Sequence, residues 1–349
     1  MAVLPLLACP ESYVAAEWEL SRDGPARSYW LGLFRTHIQT IADLIRREAG
    51  PAVESRLHEC LADYHAGLEV LDRRPDAWGE LTVPKLALYR QEVLARHGFP
   101  DPFAGVKERE NARAISLYPR VVRELDAAAP RARIELLARG IFAGNEFDLG
   151  CQATTARYHA NGHDFAEARD RVSSRPWPRD DLDAWSTALS GRRPPFRRVL
   201  FFVDNAGSDA ILGCLPLARE LADRGSEVVL AANSAPALND ITIDELNDVL
   251  ERLRPDDGVL DRLMREARLW TVASGCRSPL IDLKDISPAC AEAAAGADLI
   301  VLEGMGRSVE TNWTARFRCP CLRAALIKDP FVADRLGVPI FSPVWRFPE

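Results

Sequence analysis

From Tyr29 to Arg47 the apolar side chains fall at Trp30, Leu33, Phe34, Ile38, Ile41, Leu44 and Ile45. Steps of three and four place them on one face of a helix. The stretches Arg56–Leu71, Lys85–Arg96, Ala112–Leu125 and Ala132–Phe142 repeat that period, and Pro and Gly punctuate between them, as in HGFPDPFAG. The period changes after SGRRPPFRR (190–198), a short basic segment with the character of a hinge. Val199–Val203 (VLFFV) is a continuous apolar run, the pattern of a strand buried on both faces. Val228–Ala232, Leu269–Ala273, Leu299–Leu302 and Ala324–Ile327 read as further strands. Helical stretches lie between most of them, beginning with Asp209–Ala222, which ends at Arg224-Gly225. This rhythm predicts an α/β fold: a mostly parallel, doubly wound sheet over 191–349, preceded by an all-helical domain over 1–190.

In such sheets ligands bind beyond the carboxyl ends of the strands. The residues that follow each strand are therefore the first place to look for chemistry. The first strand is followed by Asp204, Asn205, Ala206, Gly207, Ser208 and Asp209; the second by Asn233, Ser234 and, further on, Asn239 and Asp240; the fourth by EGMGR (303–307); the fifth by Lys328 and Asp329. Taken singly, each is a plain turn, helix cap or solvated strand end. Together, four polar clusters at one sheet edge favour a site. Carboxylate and amide oxygens are hard ligands suited to Mg²⁺ or Mn²⁺. Gly207 and Ser208 open a helix whose N–H groups favour an anion, and Ser234 and Asn239 are candidate substrate contacts. Lys328 and Arg307 are placed to hold phosphate oxygens, and Glu303 to position substrate. The combination suits transfer of a phosphoryl group.

Composition narrows the choice. The net charge of −7 disfavours nucleic acid or an anionic membrane as partner, since those contacts need clustered Lys and Arg. No apolar run reaches the length of a bilayer span, and the first residues lack the basic start of a signal peptide, so the cytoplasm is the expected location. The eight cysteines are scattered, with Cys319-Pro-Cys321 the only close pair, which predicts buried or idle thiols rather than disulfides or a zinc site. All six histidines precede position 164, so no Ser-His-Asp triad can be built within the sheet half. Walker and dinucleotide glycine spacings are absent. In the helical half, Lys107, Asn111, Asn145 and Asp148 are candidates to line the site, whereas His159 and His163 flank a turn and read as exposed.

The segments VDNAGSDAILGCLPLARELADRGSEVVLAANSAPALNDIT, LIVLEGMGRSVETNW and LRAALIKDPFVADRLG resemble the metal-dependent damage-control phosphatases, long catalogued as a domain of unknown function. EGMGR is similar to the branch represented by the C-terminal domain of pantothenate kinase four, and WELSRDGPARSYWL, GFPDPFAGVKEREN and AGNEFDLG extend the resemblance over nearly the whole chain. The resemblance implies an α/β phosphatase core with a helical N-terminal domain and a divalent ion (Mn²⁺, Co²⁺, Ni²⁺ or Mg²⁺). It implies activity on 4′-phosphopantetheine and its oxidised or sulfonated forms, with sugar phosphates as the alternative substrate class. Matching the family's metal motif gives Asp204, Asn205 and Asp240 as ligands. Asp204 then orients the attacking water or attacks phosphorus itself. A non-catalytic sensor of a phosphorylated metabolite is the reading from another class. The kinase-like domain ahead of the phosphatase in that relative has no counterpart in these residues, so nothing that depends on the fusion is carried over.

Overall fold

The computed structural model describes residues 1–146, 165–191 and 194–347. Five long helices come first: α1 Gly24–Ala49, α2 Glu54–Arg73, α3 Val83–Arg96, α4 Ala104–Ala127 and α5 Pro130–Glu146. Each extends at one or both ends beyond the apolar period that announced it. α1 begins where the Asp23 side chain accepts from the Ala26 N–H, and it ends at Gly50 with φ 71°. α4 begins two turns before its first expected residue, because those turns (AGVKEREN) are largely polar. Leu20 N donates to Leu81 O (2.8 Å) just ahead of α1 and α3. Further along the same helices, Arg90 Nη1 meets His37 Nδ1 (2.9 Å). α1 and α3 therefore run side by side in the same direction.

The sheet has seven strands: β1 Arg179–Asp180, β2 Arg198–Phe202, β3 Glu227–Ala232, β4 Leu269–Ala273, β5 Leu299–Glu303, β6 Cys321–Leu326 and β7 Pro343–Arg346. Their order is β1-β7-β6-β5-β2-β3-β4, and every pairing is parallel except β6 with β7. The five expected strands are present. β6 starts three residues earlier than its apolar run because Arg323 lies inside it, satisfied by bonds to the Asn312 and Ala315 carbonyls. The two strands at the β1 end of the sheet carry no readable pattern: β1 has two residues and β7 four, the first of them proline.

Alternate residues of β2 face opposite layers. Val199 and Phe201 pack with α4, α5 and the helix Leu215–Asp223, while Leu200 and Phe202 pack with Leu4, Leu7, Tyr13 and Cys290. Full burial of each such side chain contributes about 1.5–3 kcal/mol. A third cluster joins α1–α3 to Leu238, Leu280, Met305 and Ile327. Hydrophobic packing thus runs across residue 190: α4 and α5 cover one sheet face, the first fifteen residues help cover the other, and α1–α3 cap the strand ends. The helix expected over Asp209–Ala222 opens as a wide π-helical stretch, Asp209–Cys214, before becoming α-helical. It presses against α5 at Gly144, where an added Cβ would lie 2.7 Å from the Asp209 Cα.

Candidate active site at the strand ends

β2 lies between β5 and β3, so the chain winds outward from it in both directions. The crevice of a doubly wound sheet opens at this switch point. Asp204 and Asn205 leave β2 there, and the loop after β3 returns to meet them. Asn205 and Asp240 form an isolated backbone bridge. Ile241 N donates to Asp204 O (3.0 Å), and Ala206 N to Asn239 O (2.8 Å). Backbone hydrogen bonds therefore fix Asp204, Asn205 and Asp240 relative to one another. From the β5 side, Gly304 (φ 89°) passes so close to Asp204 that a Cβ would overlap its carboxylate.

Asp204 and Asp240 share one counter-charge. The Arg307 guanidinium pairs with Asp204 through Nη1 and with Asp240 through Nη2 (2.6 Å), while the same Nη2 donates to Asn233 Oδ1 (3.0 Å). Asn233 in turn donates to Asp240 Oδ2 (2.9 Å). The Asn205 amide nitrogen donates to Asp204 Oδ2 (3.0 Å) and Asp209 Oδ2 (2.8 Å), which turns its carbonyl oxygen the other way. Two carboxylates and one amide carbonyl on two locked loops make a hard-oxygen donor set that fits a divalent ion such as Mg²⁺ or Mn²⁺.

A second acidic group lies beneath. Asp209, Cys214 and Glu303 bring ligating atoms within 4.8 Å of one another, and all three are buried. Asn145 on α5 donates to Glu303 and to Asp209 Oδ1 (2.9 Å), and its oxygen accepts from Leu326 N (3.1 Å). Glu303 also accepts from Asp204 N (3.2 Å) and from the Cys214 thiol (3.3 Å). Burial, then the charge of Asp209, push the Glu303 carboxyl well above its usual range. Burial likewise raises Asp209, with Lys328 and Asn205 opposing. Burial and both acids hold the Cys214 thiol protonated, a donor and no nucleophile. With its members bonded to one another and to Asn145 and Asn205, this group acts as the support that aims Asp204 and Asn205.

Above the loops lies a cavity of about 490 Å³. Asp204, Asn205, Asn239, Asp240 and Lys328 form its sheet-edge wall. The opposite wall comes from α1 and α3: Trp30, Leu33, Phe34, Val83 and Ala87, ending at His37 and Arg90. Tyr29 ties the walls together, donating to Asp329 Oδ2 (2.6 Å) and stacking on Phe331 with centroids 4.6 Å apart.

The expected residues sort by this geometry. Asp204, Asn205, Asp240, Asn239 and Lys328 face the cavity. Arg307 does not; its charge is taken up by Asp204 and Asp240, so it neutralises the acids rather than reaching outward. Glu303 lies below Asp204 and acts as a positioning residue. The Gly207 N–H, expected at an anion, is bonded to Asn111 Oδ1 (2.7 Å). Ser208 is buried at the head of the π-helical stretch, away from the cavity wall. Ser234 is exposed and accepts from Gly275 N (2.7 Å), outside the cavity. Of the helical candidates, Lys107 is committed to Asp101 (3.0 Å) and Glu245 (2.8 Å), and Asn111 and Asn145 are supports. Asp148, His159 and His163 lie outside the described residues. Composition and spacing did not single out the α1 and α3 wall, because a stripe that lines a pocket has the same period as one that packs in a core. Asp209 had a signal, the second acid of DNAGSD. Among the described residues the cysteines are unpaired, and no helix is long and apolar enough to cross a membrane.

Residues 35–343 match the model of the damage-control phosphatase ARMT1-like domain. A 4′-phosphopantetheine phosphatase of Mus musculus is 36% identical, the match covering 99% of this chain and 48% of that protein. A pantothenate kinase 2 of Arabidopsis thaliana is 38% identical over 96% of this chain and 40% of its own length. The chain thus spans half or less of these two relatives. A damage-control phosphatase of Arabidopsis thaliana is 37% identical, with 98% of this chain and 93% of that protein covered. The solved structure of a DUF89 family protein from Pyrococcus horikoshii superposes with a TM-score of 0.66 at 19% identity, covering 91% of this chain and 97% of that one, a likeness of fold.

Proposed function

The chain belongs to the damage-control phosphatase ARMT1-like domain family, and from that premise we propose that it is a metal-dependent phosphatase of 4′-phosphopantetheine and its oxidised or sulfonated forms. One observation carries the reading. Asp204, Asn205, Asp240 and Lys328 converge on a single cavity of about 490 Å³ whose lining also includes the apolar side chains Trp30, Leu33, Phe34, Val83 and Ala87. A sugar phosphate carries hydroxyls over most of its surface and would leave those side chains poorly matched.

Asp204, Asn205 and Asp240 would hold the divalent ion. When bound, the ion supplies Lewis acidity toward the phosphoryl oxygens and makes water a better nucleophile. Lys328, buried on the cavity wall, contacts the transferring group, where negative charge on its oxygens grows in the transition state. Asp204 orients the incoming water. The water oxygen bonds to phosphorus as the ester P–O bond breaks, and the ester oxygen leaves as the alcohol with a proton. Arg307, paired with both Asp204 and Asp240, offsets the repulsion between them. Glu303, Asn145 and Gly304 hold the Asp204 loop in place.

The test is phosphate release from 4′-phosphopantetheine, its S-sulfonate and a panel of sugar phosphates, with Mn²⁺, Co²⁺, Ni²⁺ or Mg²⁺ and with excess chelator. Turnover of the pantetheine esters that chelation abolishes is expected. Binding without turnover of any ester would identify a sensor, and full activity after chelation would remove the ion from the mechanism. Sugar phosphates hydrolysed in preference to pantetheine esters would replace the substrate class.

A further inference from the structure

The helical wall carries a charge that the mechanism above leaves unused. Arg90 sits on α3 one turn beyond Ala87 and two beyond Val83, so all three share the face that lines the cavity. It is buried, 3% exposed. Its Nη1 donates to His37 Nδ1 (2.9 Å), and its guanidinium lies over the Phe34 ring, 5.0 Å from the centroid. These contacts hold the side chain in place without neutralising it. Among the described residues no carboxylate pairs with Arg90, and its buried Nε meets no acceptor. Nη2 has no partner there either, and unlike Nε it is not sealed from the cavity.

Arg90 lies near the strand-end acids. Asp240 lines the same cavity, and its charge opposes the fall that burial imposes on the Arg90 pKa. Yet the two form no ion pair; Asp240 Oδ2 is taken up by Arg307 and Asn233. A buried guanidinium without an anion is costly, since its desolvation is uncompensated. The acids of the sheet edge do not supply that anion, because Asp204 and Asp240 pair with Arg307 and are the donors that suit a divalent ion. A phosphate monoester brings two negative charges into the space they share with Arg90. Lys328 meets part of that charge, but it also acts on Asp209 and Glu303, lowering both carboxyls. We infer that Arg90, held by His37, is a further substrate-binding residue that donates to a non-bridging oxygen of the phosphoryl group seated at the Asp204 and Asp240 ion site. This rests on the reading of the site given above. A guanidinium is suited to the task, since its charge is permanent and its N–H groups match phosphate oxygens. Those oxygens are charged before transfer as well as during it, so the contact serves binding more than rate. Every ester of the class carries the same group, so the contact is indifferent to the rest of the substrate.

The experiment compares parent, Arg90→Met and Arg90→Lys on 4′-phosphopantetheine, one sugar phosphate and p-nitrophenyl phosphate with saturating Mn²⁺. For Arg90→Met, KM should rise about 10- to 100-fold on all three esters, as expected for loss of a charge-assisted contact. The kcat should stay within about threefold of the parent. Arg90→Lys should recover part of the loss. Mn²⁺ affinity of the ester-free protein, read by calorimetry, should match the parent, which separates a phosphoryl contact from a residue that shapes the ion site. A rise in KM confined to one ester would place Arg90 against the organic part of the substrate and overturn the inference. Unchanged KM, a fall in kcat without a rise in KM, or weaker Mn²⁺ binding would overturn it equally. Where thermal melts show that Arg90→Met does not fold, Arg90→Gln takes its place, keeping a donor toward His37. If the parent hydrolyses none of these esters, the phosphatase reading fails by itself. Calorimetric binding of inorganic phosphate to the Mn²⁺-loaded parent and Arg90→Met then decides the role of Arg90; equal affinities, or no binding to the parent, overturn it.

Discussion

The two walls of the cavity are built on opposite plans. At the sheet edge Asp204, Asn205 and Lys328 follow their strands within three residues, and the loop after β3 is held against them by the Asn205–Asp240 bridge, so backbone pairing sets their positions. Across the cavity, the residues come from the interiors of α1 and α3, and their positions are set by how two parallel helices pack. The first plan gives little freedom. Gly304 cannot carry a side chain without displacing the Asp204 carboxylate. The second plan tolerates exchange of one apolar group for another of similar volume. The difference teaches where each kind of change should be felt: in the rate at the sheet edge, and in the choice of substrate at the helices.

The largest effect should come from Asp204→Asn, which removes a ligand charge and upsets the balance with Arg307. A fall in kcat on the order of 100-fold or more is expected, measured by phosphate release with saturating ion. A variant that kept its rate would show that the sheet edge is not where the chemistry occurs. Next is Lys328→Ala. Loss of a cation that acts mainly in the transition state should lower kcat by about 100-fold while substrate affinity, measured by calorimetry, weakens far less. Equal losses in rate and affinity would reduce Lys328 to a ground-state contact. Asn145→Ala tests the support below. It removes one donor from each of Glu303 and Asp209 and leaves the Leu326 N–H without its acceptor, and should cost about 1–3 kcal/mol of stability, read in a denaturant melt. Trp30→Ala is the smallest. KM for the pantetheine ester should rise about tenfold with kcat retained, and KM for a sugar phosphate should stay where it was. A uniform rise would mean that the helical wall closes the cavity without choosing what enters it.

The same contrast decided what was legible in the sequence. Asp204, Asn205 and Lys328 stand just after apolar runs, and a parallel sheet turns that order into nearness; Asp240 lies further along the loop after β3, and its bridge to Asn205 is a long-range pairing that no local run announces. Strands β2, β3, β5 and β6 were legible for the same reason, being buried on both faces, and β4, half-buried at the sheet edge, from its apolar run LWTVA. Arg307 shows the limit. Its place in EGMGR gives it the right neighbourhood, but whether it faces outward or back to Asp204 depends on a π-helical turn that no spacing rule reveals. Gly207 and Ser208 had every local mark of an anion site, yet α4 supplies Asn111 to the Gly207 N–H from 96 residues away. Lys107 was drawn off in the same manner by Asp101 and Glu245. Trp30, Phe34, Ala87 and Arg90 were hidden because a helix face carries one period whether it meets protein or substrate.

Asn145 has a consequence for how the chain comes together. One amide, carried on the last turn of α5, reaches the backbone of β6 and two acids that belong to β5 and to the stretch after β2. Elements made early in synthesis thus complete a centre whose other parts are made late. Glu303 and Asp209 have no amide between them until that helix docks. A half expressed alone, from 191 onward, would lack the amide that joins Glu303 to Asp209 and the acceptor of the Leu326 N–H.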